Sequence, residues 1–191
     1  MKLMCDLDGV IFPTYNELNI LHKALFDDEE INWQALPDPK NSYWNTKRGK
    51  WVQKMFTDEI FYADLLAYKG ARETLRIWMR ESTNSITYCT ARPTVLESAT
   101  AYSIGRNNLP YGDMIFVERN KGVAKNKLEV AQMENIDIAI DDESEIMLEL
   151  KDTCITLIYT QPYNKMYPYD FRVNDWLEIH RILNTIFKGG E

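Results

Sequence analysis

Asp6-Leu7-Asp8-Gly9-Val10 (DLDGV) follows the short strand-like run Lys2 to Cys5. Side chains alternate along an extended segment, so Asp6 and Asp8 point the same way at the strand's carboxyl end. That end is where open α/β sheets bind their ligands. Two carboxylates in one crevice repel unless a cation neutralises them, and hard oxygen ligands beside phosphate favour Mg²⁺. Gly9 permits a sharp turn directly afterwards. Aspartates also end strands in ordinary solvated turns, so the stretch gains weight from what lies further along the chain.

Four more segments read as strands: Ser85 to Cys89, Met114 to Val117, Asp137 to Ile140 and Cys154 to Tyr159. Each is β-branched or continuously apolar and stops at a polar residue, as parallel strands buried on both faces do. Helical patterns lie between them. From Ala71, Leu75, Trp78 and Met79 share one stripe after a turn at Gly70. Pro93 to Ile104 starts with proline at a first helical position, and Lys125 to Glu134 and Ser144 to Leu150 follow. Alternating strands and helices predict an α/β fold, a doubly wound, Rossmann-like parallel sheet with right-handed crossovers. Residues 13–68 break the rhythm: they are too long for a βα connection, hold helical stretches, and turn at Pro37-Asp38-Pro39 and Asn41-Ser42. They read as a small helical cap inserted after the first strand, with residues 1–12 and 69–191 as the core domain. Asp175 to Phe187 is a final amphipathic helix.

At 191 residues the chain can bury a proper core, and 45% hydrophobic with 27% charged residues is ordinary globular composition. No apolar run reaches the roughly 20 residues that span a bilayer, and the opening Met1 to Cys5 offers no apolar signal region. Cys5, Cys89 and Cys154 are odd in number and sit in apolar runs, which suits a reducing compartment; a cytoplasmic protein is expected. With two histidines and no cysteine pair at ligand spacing, structural zinc is not expected. A net charge of −7 argues against a groove tracking a long nucleic acid, though not against a small phosphorylated substrate. Neither membrane nor long nucleic acid is an expected partner, and a homodimer is compatible with the sequence.

Two other strand ends carry chemistry. Ile138-Ala139-Ile140 finishes in Asp141-Asp142, a further acidic pair at the same sheet edge. Asp142 or Ser144 could cap the following helix, which leaves Asp141 for metal. Cys89-Thr90-Ala91-Arg92-Pro93 offers a hydroxyl and backbone N–H groups at the mouth of a helix, where a phosphate oxygen would sit. Taken alone, Thr90 is an ordinary helix cap.

In order, DLDGV, Thr90-Ala91-Arg92, a lysine and Ile140-Asp141-Asp142 resemble the four motifs of the haloacid dehalogenase superfamily. The resemblance implies that Asp6 is a nucleophile forming an aspartyl-phosphate and Asp8 the general acid and base. It implies Mg²⁺ held by Asp6, the Asp8 carbonyl and Asp141. Thr90 and the lysine would stabilise charge on the transferring phosphoryl group. Lys127, 14 residues before Asp141 at a helix start, is preferred; Lys121 could reach in from the loop after the third strand, and Lys125 comes third.

Shorter patches (Phe61 to Leu65, Gly70-Ala71, Tyr159 to Asn164, Asp175-Trp176) resemble the 5′(3′)-deoxyribonucleotidases, which implies a nucleoside monophosphate as substrate. Nucleobases stack on aromatic rings. Tyr43 and Trp44, in a polar stretch, are therefore the expected base contacts, with Phe12 near the hinge as a further candidate; otherwise cap aromatics simply build cap core. Arg92 departs from the small residue of the eukaryotic nucleotidases and is a candidate for a phosphate contact or an ion pair. Alternatives are a phosphatase for another small phosphomonoester such as a sugar phosphate, a phosphomutase with the same motifs, and a non-catalytic binding protein on this fold.

Overall fold

A computed structural model describes residues 1–33, 40–118, 122–165 and 171–188. Six parallel strands form one sheet in the order β3-β2-β1-β4-β5-β6. They are β1 (Lys2–Cys5), β2 (Ser85–Thr90), β3 (Asp113–Phe116), β4 (Ile138–Asp141), β5 (Ile155–Tyr159) and β6 (Arg172–Val173). Met4 on β1 pairs with Thr87 on β2 and with Ala139 on β4. The chain builds outward to β3 on one side of β1 and to β6 on the other. The topology therefore switches between β1 and β4, where the carboxyl ends of strands open a crevice.

Alternation along the strands feeds two apolar layers. Leu3, Cys5, Ile86, Tyr88, Ile138, Ile140 and Leu157 face one cluster with Trp78 of α4 (Ala71–Trp78) and Trp176, Ile179 and Leu183 of α8 (Trp176–Lys188). Met4, Cys89, Ala139 and Ile158 face the other, with Ala131 of α6 (Val123–Glu134) and Ile146, Met147 and Leu150 of α7 (Ser144–Leu150). Covering both faces explains why the strands read as continuous apolar runs.

The doubly wound parallel fold is as the sequence predicts, with local differences. Pro93 does not open a helix: it is extended, with ψ 142°, and a 3₁₀ turn at Thr94–Leu96 precedes α5 (Glu97–Arg106). β6 is only two residues long, too short for any periodicity to mark it.

Between β1 and α4 the described residues form α1 (Thr14–Leu25), a 3₁₀ turn (Ser42–Asn45), α2 (Lys47–Met55) and α3 (Glu59–Asp64). The polar residues before these elements cap them. Asn41 accepts from Tyr43 N at 3.0 Å, Thr46 from Gly49 N at 3.0 Å and Asp58 from Phe61 N at 2.9 Å. The expected turn at Pro37-Asp38-Pro39 lies outside the described residues. Tyr68 N donates to Ile11 O at 2.8 Å, so the insertion leaves and rejoins the chain at neighbouring points. Its apolar residues, Leu18, Trp44, Val52, Phe61 and Tyr62 among them, join the same cluster as one face of the sheet.

Candidate active site

Asp6 follows β1 directly and is buried; its backbone N donates to Ile140 O at 3.0 Å, which fixes it beside the end of β4. Lys127, fully buried on α6, places Nζ 2.6 Å from Asp6 Oδ1 and 2.6 Å from Asp141 Oδ2. The structure thus brings Lys127 into the carboxylate cluster. Lys125 is exposed on the same helix, and Lys121 lies outside the described residues.

Asp142 corrects an expectation. It caps nothing: the residue before α7 is Glu143, which makes no side-chain cap bond. Instead Asp142 turns into the crevice, where oxygens of Asp6, Asp141 and Asp142 all lie within 4.8 Å of one another. Its Oδ2 accepts from the Tyr163 hydroxyl. Asp141, by contrast, has both oxygens engaged, Oδ2 by Lys127 and Oδ1 by Glu143 N at 3.0 Å. Gly9 is required by this arrangement. Its φ is +81°, and a Cβ there would come within 2.2 Å of Asp142 Oδ2. Two buried amides tie the loops together: Gln161 Nε2 donates to Gly9 O at 2.5 Å, and Asn164 Nδ2 to Asp142 O at 2.7 Å.

The acids of the crevice are displaced from their ordinary range. Burial raises Asp6 to about 7, with Lys127 pulling it down and Asp141 and Asp8 pushing it up. Burial, then Asp141 and Asp6, hold Asp142 well above the usual carboxylate range. Burial opposes the Lys127 charge, but Asp141 and Asp6 outweigh it and keep the ammonium protonated. One ammonium serves three buried acids, which are raised toward their protonated forms, and a bound cation would favour the ionised ones instead. An all-oxygen donor set of this kind fits Mg²⁺.

Asp8, near enough to raise Asp6, has partners of its own. Arg92, also buried, donates from Nε to Asp8 Oδ2 at 2.9 Å and from Nη2 to Asp8 Oδ1 at 2.8 Å, and Thr14 Oγ1 also donates to Oδ1. Of the two roles open to Arg92, the structure has the ion pair. Thr90, buried at the end of β2, accepts from Arg92 N at 3.2 Å through Oγ1, with the half-buried Ala91 between them.

Two of the three expected base contacts, Phe12 and Trp44, are buried. Phe12 is wholly buried, with the Arg92 guanidinium carbon 5.3 Å from its ring centre. Trp44 is 8% exposed and part of the core, and Tyr43 is half-buried edge-on to it at 5.2 Å. Buried rings present no face for stacking, which speaks against Phe12 and Trp44, whereas Tyr43 is only half-buried. The reason is local: α2 sits so close that a Cβ on Gly49 would lie 2.2 Å from Tyr43 O. Partly exposed rings collect elsewhere. Tyr15 meets Trp33 and Tyr163 edge-to-face, each with centres 5.4 Å away. Tyr15 lies near the acids, since burial first and then Asp142 and Asp8 raise its hydroxyl well above the usual tyrosine value. Sequence reasoning missed Tyr15, Trp33 and Thr14; Tyr163 lay in a quoted patch without a role.

A family model described as 5′ nucleotidase, deoxy (pyrimidine), cytosolic type C protein matches residues 1–187. The chain is 30% identical over 133 residues to the "Putative nucleotidase" OB0422 of Oceanobacillus iheyensis, 69% of each sequence. Among solved structures, it resembles a haloacid dehalogenase-like family hydrolase of Streptococcus pneumoniae, with TM-score 0.64, 14% identity, and 95% and 97% of the two chains covered. A conserved haloacid dehalogenase-like protein of Agrobacterium tumefaciens gives TM-score 0.62 at 10% identity, covering 97% and 98%. At such identities the structural likeness speaks for the fold.

Proposed function

The chain belongs to the family of 5′ nucleotidase, deoxy (pyrimidine), cytosolic type C proteins and is a phosphomonoester hydrolase, and we propose that it dephosphorylates nucleoside monophosphates through an Asp6 aspartyl-phosphate. The observation that carries this reading is Lys127 bridging Asp6 and Asp141 at 2.6 Å each, beside Asp142, where the topology switches.

Asp6 attacks phosphorus and the bond to the leaving oxygen breaks, while a proton from Asp8 neutralises the departing alkoxide. Water then attacks the aspartyl-phosphate, Asp8 takes its proton, and inorganic phosphate leaves. Lys127 holds Asp6 in place and, with Thr90, offers positive charge and a hydroxyl to the phosphoryl oxygens. Asp6, the Asp8 carbonyl and Asp142 would hold Mg²⁺, with Asp141 anchoring Lys127. When bound, the metal neutralises phosphate charge and orients it for in-line attack. The helical insertion, residues 13–68, acts as the cap over a small substrate, and the cytoplasm is the compartment in which we place the enzyme. A phosphate-release screen over nucleoside monophosphates and sugar phosphates with Mg²⁺ tests the reading. A sugar phosphate preferred over every nucleotide would leave the phosphatase and remove the nucleotide.

Metal removal follows from the same ligand set. EDTA should abolish activity, Mg²⁺ should restore it, and Ca²⁺, with its larger and looser shell, should restore it poorly. Asp142→Asn should raise the Mg²⁺ concentration for half-activation by about tenfold or more, a range set by typical losses at metal sites. Asp141→Asn should lower kcat more than it shifts that concentration. Titrations in which Asp141→Asn gives the larger shift would return the metal to Asp141.

We take Tyr15 and Trp33, partly exposed and edge-to-face, as the rings that seat a base. Stacking contributes about 1–3 kcal/mol per base. Tyr15→Ala or Trp33→Ala should therefore lower kcat/KM for nucleoside monophosphates roughly 5- to 150-fold relative to p-nitrophenyl phosphate. Trp44→Ala should lower Tm and affect both substrates alike. Equal losses on the two substrates for Tyr15 and Trp33 would make these rings framework.

A further inference from the structure

We propose that Arg92 is the positioning residue that aims the Asp8 carboxylate and couples it to the helical insertion. The inference rests on the acid and base role given to Asp8 above.

Arg92 and Asp8 form a two-pronged pair in which Nε and Nη2 take one carboxylate oxygen each, at 2.9 and 2.8 Å. Such forks fix orientation as well as charge. The third nitrogen, Nη1, donates to Thr100 Oγ1 at 3.1 Å, on α5 and buried. The guanidinium carbon lies 4.5 Å from the Tyr62 ring centre and 5.3 Å from that of Phe12. Tyr62 belongs to α3 of the insertion, and Phe12 to the segment that leads into it. The Arg92 side chain is 1% exposed and that of Asp8 16%, so the arginine is held inside the protein by these partners.

A buried arginine is costly unless it is paired, and a purely structural one needs no carboxylate from the catalytic centre. This one uses the carboxylate that must meet the leaving oxygen, its one ion-pair partner among the described residues. Thr14, the first residue of α1, donates to the same carboxylate from the insertion side. Residues at both roots of the insertion and the turn after β2 therefore share control of one side chain. Movement of α3 against α5 would shift the Tyr62 ring over the guanidinium and change where Asp8 points.

Phenyl phosphate and p-nitrophenyl phosphate test this directly. The two esters are nearly the same shape, but phenoxide is the poorer leaving group and needs the proton more. General acid help is worth about 10²–10⁴-fold. Loss of aim should recover part of that, so Arg92→Met should lower kcat/KM for phenyl phosphate roughly 10- to 100-fold and for p-nitrophenyl phosphate no more than about threefold. In an Asp8→Asn background Arg92→Met should change neither ester by more than about threefold, because the group it aims is gone. Arg92→Lys keeps the charge without the fork and should show the same selective loss, smaller in size. It carries the test if Arg92→Met does not fold.

Equal losses on both esters with raised KM would assign Arg92 to the substrate phosphate and overturn the proposal. Equal losses in kcat, persisting in the Asp8→Asn background, would overturn it in favour of packing. If Asp8→Asn discriminates between the esters and neither Arg92 variant does, only this inference falls. If Asp8→Asn itself treats both esters alike, the acid role of Asp8 falls and the inference with it.

Discussion

Asp6→Asn should reduce kcat by at least about 10³-fold, equivalent to roughly 4 kcal/mol of barrier, while the protein keeps its fold. The amide is nearly isosteric with the carboxylate, and Asp6 Oδ1 can still accept from Lys127 through an amide oxygen. What disappears is the nucleophile, because a neutral amide oxygen does not open a covalent path to phosphorus. Removing one of three crowded acids also relieves repulsion, so Tm should stay level or rise in metal-free buffer. Burial and its acidic neighbours already hold Asp6 up near 7, which means the ionised form is the costly one. Turnover within tenfold of wild type, measured by phosphate release under saturating Mg²⁺, would show that another group attacks phosphorus.

Lys127→Met should lower kcat by about 10²–10³-fold, the usual loss for one preorganised charge at a transferring group. It should also cost stability. Lys127 is buried and touches Asp6 and Asp141 at 2.6 Å, so its removal leaves two carboxylates facing each other. Breaking a buried pair typically costs about 3–5 kcal/mol, and proton uptake by the stranded acids will reduce that. The residual instability should therefore be larger at pH 8 than at pH 5. Both acids are raised in the folded protein, so they add stability while protonated and lose it as the pH climbs through those raised values. Lys125→Met, on the exposed face of the same helix, should leave kcat within about twofold and stability within about 0.5 kcal/mol of wild type. Thermal melts at the two pH values with kcat for both variants check this. A larger loss for Lys125 would move the catalytic lysine.

The sheet was readable because burial on both faces forces continuous apolar runs, and each run stops where its first acid, threonine or turn begins. Asp6 and Asp141 could be placed at one edge on that ground alone. The direction in which Asp142 turns could not be read the same way. It depends on how the chain turns after β4, and the turn is set by Asn164 and Tyr163, some twenty residues on. The pairing of Arg92 with Asp8 spans 84 positions, and a local pattern carries no information on a contact that distant. The aromatic insertion misled for a different reason. Tyr43 and Trp44 stand among polar residues, but a 3₁₀ turn pressed under α2 puts Trp44 inside. Trp33 and Tyr15 show no distinguishing pattern at all; only the fold of the insertion brings the two rings together, with Tyr15 near the acids.

That Asp6 carries the phosphoryl group is tested by borohydride reduction of enzyme acid-quenched during turnover. An aspartyl-phosphate is reduced at its acyl carbon, which converts the modified aspartate into homoserine, and peptide mass spectrometry reads the position. The expected result is homoserine at position 6, dependent on both substrate and Mg²⁺, and absent from Asp6→Asn. Homoserine at position 8, or none at position 6 while phosphate release runs at its full rate, would contradict it.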